Sequence, residues 1–185
     1  MKHVRNNRHA PTSRVRPLVF LIFTFLAFNV AAQIDEVGTA SRLAAEGQHA
    51  AAEAVYDRIL KTDEGNLAAR IGRAYTRAWQ KNYAGAEADF RAALAQEPGS
   101  VAARNGLGYT LAWAGRHAEA EAELKRVLEA APADFDATKG LAYVALWRGD
   151  AATAVTRFRA LADSRPADAE MLVGLGQAQA LAHAG

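Results

Sequence analysis

The chain has 185 residues, no cysteine, and 22 Lys+Arg against 20 Asp+Glu, a formal net charge of +2. The absence of cysteine excludes a disulfide framework and a lipid-modified cysteine anchor. The length leaves no room for a second sizeable domain beside the repeats described below.

The first 32 residues contain Lys2, Arg5, Arg8, Arg14 and Arg16 without an acid, then an uncharged run from Leu18 to Ala32 that ends Val30-Ala31-Ala32 before Gln33. A basic start, a short apolar stretch and small residues at the exit predict a secretory signal peptide over 1–32, cleaved after Ala32. The alternative is an uncleaved N-terminal membrane anchor, although fifteen uncharged residues are few for a helix that must cross about 30 Å of hydrocarbon. The expected location is the bacterial periplasm, or the inner membrane facing the periplasm if the leader stays. Removing the leader takes five bases from 22 and leaves 17 Lys+Arg against 20 Asp+Glu, a net charge of −3. A mildly acidic remainder without a basic stripe argues against nucleic acid as a partner.

From residue 33 the chain repeats. Pro98, Pro132 and Pro166 lie 34 residues apart, and the residues between them recur in register. The units are 33–66, 67–100, 101–134 and 135–168, followed by 169–185, which supplies only a first helix and is expected to cap the stack. The unit 101–134 carries Leu107, Gly108, Leu111, Gly115, Ala120, Leu124, Val127 and Pro132. Its neighbours answer with Ala74, Ala86, Phe90, Ala93 and Pro98, and with Leu141, Ala142, Gly149, Ala154, Phe158, Leu161 and Pro166. The first unit keeps Ala40, Leu43, Gly47, Ala52, Tyr56 and Ile59 but has Glu64 in the proline position.

Within 118–130 the apolar residues Ala120, Leu124, Val127 and Leu128 follow the helical spacing of one buried face. Gly115-Arg116 breaks the chain before this segment and Pro132 stops it afterwards. Each unit is therefore a helical hairpin with too small a core to stand alone, and must stack on its neighbours.

Little in the chain suggests chemistry. His49 and His117 share position seventeen of their units, where a structural role is expected rather than a metal site. Gly106-Leu107-Gly108 and Gly174-Leu175-Gly176 fall inside predicted helices and follow no strand, so they are not nucleotide loops. The carboxylates are spread over helix surfaces. These features argue against an enzyme and predict no catalytic residue, metal or cofactor.

One constellation rises above the scaffold. Trp79, Trp113 and Trp147 recur at position thirteen, and Tyr75, Tyr109 and Tyr143 precede each by four residues. At about 100° per residue, these rings lie nearly opposite Leu107 and Leu111, so the first helix of each central unit has two apolar faces. Two readings stand. In the first the ladder is packing: Gly38, Gly72, Gly106, Gly140 and Gly174 recur at position six, and glycine inside a helix costs about 1 kcal/mol against alanine unless a neighbour's ring needs the space. In the second it is a binding track for sugar rings or apolar peptide side chains. Arg73 and Arg77 occupy inward positions of the second unit, where their stems are expected to cross the interface with the first unit and their heads to find solvent or acids; that junction is expected to be loose.

The 34-residue period, with small residues, aromatics and a closing proline at these offsets, resembles the tetratricopeptide repeat family. The resemblance implies an all-α, right-handed superhelical solenoid of helical hairpins that acts as a scaffold for protein or peptide partners. It also implies a concave groove floored by positions two, five, nine, twelve and thirteen of the first helices, of which the last four carry the residues singled out. Here those are Ile71, Asn105 and Lys139, then Tyr75, Tyr109 and Tyr143, then Ala78, Ala112 and Leu146, then Trp79, Trp113 and Trp147. Leu111 to Arg116 and Ala145 to Asp150, within 67–165, are also similar to periplasmic segments of outer-membrane exopolysaccharide exporters, which implies a polysaccharide as the alternative ligand.

Overall fold

The computed structural model describes residues 36–184, and the proposed leader, its cleavage point and Gly185 lie outside them. The described residues form nine helices and no strand: α1 (36–45), α2 (His49–Thr62), α3 (Leu67–Trp79), α4 (Tyr83–Gln96), α5 (Val101–Trp113), α6 (His117–Ala130), α7 (Phe135–Trp147), α8 (Ala151–Ser164) and α9 (Ala169–Ala184). Consecutive helices pack as hairpins, and α3, α5, α7 and α9 also touch one another in sequence, so the first helices of successive units line one side of an all-α superhelical solenoid.

Local chemistry fixes the ends of these helices. Asn66, Ser100 and Asp134 each accept a hydrogen bond from the backbone N–H three residues on, at 3.0, 3.4 and 2.7 Å, and Asp168 accepts from Glu170 and Met171. This is the N-cap interaction, which satisfies donors that the first turn leaves free. The turn inside each hairpin needs one left-handed residue. Gly47, Gly115 and Gly149 supply it at φ near 80°, while the second hairpin uses Lys81 at φ 63°.

The position-six glycines have a steric reason in four units. A Cβ on Gly72 would strike the Tyr56 ring, on Gly106 the Phe90 ring, and on Gly174 the Phe158 ring; on Gly140 it would stand 2.9 Å from Leu124. The large side chain comes from the second helix of the preceding unit, so each glycine is a socket through which one hairpin seats on the next. Gly38 is the exception, with nothing within 4 Å among the described residues; no described unit precedes it to fill the socket.

The junction between the first two units is not loose. Arg73 grips buried Asp89 with two bonds of 2.6 and 2.9 Å and reaches Asp57 at 2.7 Å. Arg77 donates to Glu53 at 2.7 Å and to Asp89 at 2.9 Å. The heads do find acids as expected, but Asp57 and Glu53 on α2 and Asp89 on α4 lock three helices together, where free heads would have left the interface open. No described helix is long and apolar enough to cross a membrane.

Candidate functional site

The aromatic ladder divides into two rows with different environments. The tyrosines are held. Tyr75 and Tyr143 meet Phe90 and Phe158 of their own units edge-on, with ring centroids 5.0 Å apart. Their hydroxyls point forward: Tyr75 donates to the Ala102 carbonyl at 3.1 Å, Tyr109 to the Asp136 carbonyl at 2.7 Å, and Tyr143 to the Glu170 carboxylate at 3.1 Å. Every acceptor is the second residue of the next unit's first helix, so each tyrosine ties its unit to the following one.

Burial pushes the Tyr75 phenol up to about 12, assisted by the negative charges of Asp136 and Asp134. Burial, then Glu170, raises Tyr143 to about 12. Tyr109 is raised as well, by burial and then by Asp136 and Glu170. A group that must donate its proton to a carbonyl, or to a carboxylate at Tyr143, is thereby kept neutral.

The tryptophans are open. Trp79, Trp113 and Trp147 are 49%, 37% and 43% exposed although each is a large apolar ring. Each rests on the tyrosine of its own helix, at centroid distances of 6.2, 5.8 and 5.4 Å. Trp79 and Trp147 also lie beside His49 and His117 of the preceding unit, at 5.5 and 6.4 Å. The two histidines therefore support the indoles from the side.

Tyr75, Trp79, Tyr109, Trp113, Asn105 and Lys139 line one groove of about 590 Å³, together with Val101, Ala102, Asp134 and Asp136. Tyr143 and Trp147 do not line it; they form a stacked pair at 28° between planes, with the Tyr143 hydroxyl on Glu170. Four expected floor residues are placed elsewhere. Ala78 and Ala112 are buried, and Ile71 and Leu146 pack against the hydrophobic cores. Position twelve turns inward, where Ala78 and Ala112 belong to one hydrophobic core and Leu146 packs against another.

Asn105 is 6% exposed, and its Nδ2 donates to Asp134 Oδ1 at 3.0 Å. Its Oδ1 has no hydrogen-bond partner. Lys139 sits 3.3 Å from Glu170 and 3.8 Å from Asp136. The acids Asp134, Asp136 and Glu170 were not named from the sequence, although the resemblance already implied that position two, held here by Asp136 and Glu170, faces the groove. The signal was available: Asp134 is the N-cap and Asp136 and Glu170 are second residues, positions that face the same side as the tyrosines.

Two family models described as tetratricopeptide repeat match residues 79–143 and 139–184. With the helical hairpins above, they show that this chain is built of tetratricopeptide repeats. No curated protein matches it. Among solved structures, a tetratricopeptide repeat protein from Parabacteroides merdae is 18% identical with a TM-score of 0.72, covering 82% of this chain and 59% of its own. The chain thus spans little more than half of that relative. YrrB, a TPR protein with an unusual peptide-binding site, is 21% identical with a TM-score of 0.60, covering 86% of this chain and 83% of its own. The first TPR of Spaghetti (RPAP3), bound to the HSP90 peptide SRMEEVD, is 24% identical with a TM-score of 0.58, covering 61% of this chain and 90% of its own. At these identities the likeness is one of fold.

Proposed function

We propose that this chain is a non-catalytic interaction scaffold whose concave groove holds an extended peptide segment of a protein partner. The observation that carries this reading is the division of labour in the ladder: the tyrosines are consumed by packing, whereas Trp79 and Trp113 remain exposed over the 590 Å³ groove. Peptide binding by YrrB and by the RPAP3 domain is consistent with such a use of the fold. The proposed setting is the bacterial envelope, which the leader over 1–32 motivates.

A second reading has one observation in its favour. Three exposed indoles recur at the repeat spacing, and flat aromatic faces suit sugar rings, as a carbohydrate-binding accessory of an exopolysaccharide system would require.

Peptides selected on the protein from a random display library, then titrated against tryptophan fluorescence, decide between them. The scaffold reading expects a saturable shift that weakens about tenfold in Trp79→Ala or Trp113→Ala, a loss of roughly 1.4 kcal/mol. A saturable response only to soluble β-glucan or poly-N-acetylglucosamine oligomers would transfer the function to the second reading. N-terminal sequencing of protein from a bacterial host is expected to begin at Gln33; an intact Met1 on a soluble cytoplasmic product would contradict export.

A further inference from the structure

The groove has a charge, and it is negative. Asp134 and Asp136 line it, and Glu170, outside the lining, reaches its Lys139 at 3.3 Å. The only base among the groove-lining residues is Lys139, already shared between Glu170 and Asp136. Within the lining one ammonium faces two carboxylates, and that ammonium is shared with Glu170 outside it. Asp136 and Glu170 keep 65% and 51% of their side-chain surface, so both remain open to a second cation.

An independent observation asks for a hydrogen-bond donor at the same place. A carboxylate only accepts, so the bond to Asp134 fixes the Asn105 amide with nitrogen toward Asp134 and oxygen away from it. That oxygen is buried and has no donor. A buried acceptor without a partner carries a desolvation cost that an incoming N–H relieves. Exposed indole faces, at Trp79 and Trp113, are in turn the best aromatic surface for a cation.

We propose that the occupant of this groove is an extended segment of a partner protein that lays a Lys or Arg side chain on the indoles of Trp79 and Trp113, with its charge toward Asp136 and a donated N–H toward Asn105. The inference rests on the groove reading above and adds the chemistry of the partner. An acid-ended peptide such as the SRMEEVD held by the RPAP3 domain is the wrong sign for this site.

The test is a fluorescence titration of the full chain at low salt with four probes: a short oligo-arginine peptide, an oligo-glutamate peptide of equal length, a neutral apolar peptide, and a chito-oligosaccharide. Oligo-arginine is expected to give a saturable shift that weakens about tenfold in Asp136→Asn and in Trp113→Ala, and to weaken with added salt. Asp136→Asn is a safe probe of the charge because the Tyr109 hydroxyl bonds the backbone carbonyl of Asp136, which the substitution keeps. Equal binding of oligo-glutamate, or oligo-arginine binding that survives Asp136→Asn unchanged, overturns the proposal. A response confined to the apolar peptide overturns it while leaving the groove as a peptide site. A response confined to the chito-oligosaccharide overturns both, and a response to none of the four overturns the proposal while leaving the groove reading to the selected peptides.

Discussion

Lys81 holds a left-handed backbone at φ 63° where three other hairpins have glycine. An L-residue there carries a penalty of roughly 1–2 kcal/mol that glycine avoids, offset in part by the flexibility glycine adds to the unfolded chain. Lys81→Gly is therefore expected to stabilise the protein by about 0.5–1 kcal/mol, read from the shift of a urea unfolding midpoint; a loss of stability would show that the lysine side chain contributes more than its backbone costs. Asp89 is the opposite case. It is buried between Arg73 and Arg77, so Asp89→Asn removes the counter-charge from two partly buried guanidiniums and is expected to cost about 3 kcal/mol. An unchanged unfolding midpoint would show that Asp57 and Glu53 alone suffice. The need of Arg73 and Arg77 for acids was legible in the sequence, because apolar positions held bases. Which acids would answer was not, since Asp57, Glu53 and Asp89 become neighbours only when α2, α3 and α4 stack.

At the scale of elements, the tyrosine hydroxyls are the ties between first helices. Their raised values mean that the folded state holds the proton more tightly than the unfolded chain does. The stability that Tyr75 and Tyr143 confer is thus complete below the ordinary value of 10.0 and is lost as pH rises from there through about 12, whereas that of Tyr109 persists to higher pH. Phenolate absorbance and helical circular dichroism followed together through this range are expected to change in step; phenolate formation with the helices intact would contradict the ties. The α9 helix covers Phe158, and its Met171 and Ala178 are fully buried. Deleting residues 169–185 is expected to cost on the order of 3 kcal/mol and to reduce solubility, and unchanged melting would deny α9 a capping role. The helices and their hairpin pairing followed from the period of 34 and the small residues. The split of the aromatic ladder did not, because tyrosine and tryptophan four residues apart share a helix face, and only the position of the next unit decides which ring it covers.

Over the described residues, each unit seats on the next through a large side chain against a glycine and an N-cap at the next first helix, and the second, third and fourth units add a tyrosine hydroxyl on the following helix. These contacts use one edge of every first helix and leave the indole row outside them. The groove's position was legible from the resemblance that named its residues. Its charge was hidden in Asp134 and Asp136, acids whose first visible duty is at helix starts. The central claim is that the tryptophans are spare to the fold and the tyrosines are not. The most direct measurement compares Trp113→Ala with Tyr109→Ala in paired melting and peptide-titration experiments. The account predicts that Trp113→Ala changes stability by no more than about 1 kcal/mol, as a partly exposed site should, while peptide affinity falls about tenfold; Tyr109→Ala is predicted to lower stability by about 3 kcal/mol. A Trp113→Ala protein that loses the 3–5 kcal/mol of a buried aromatic and still binds peptide normally would contradict it.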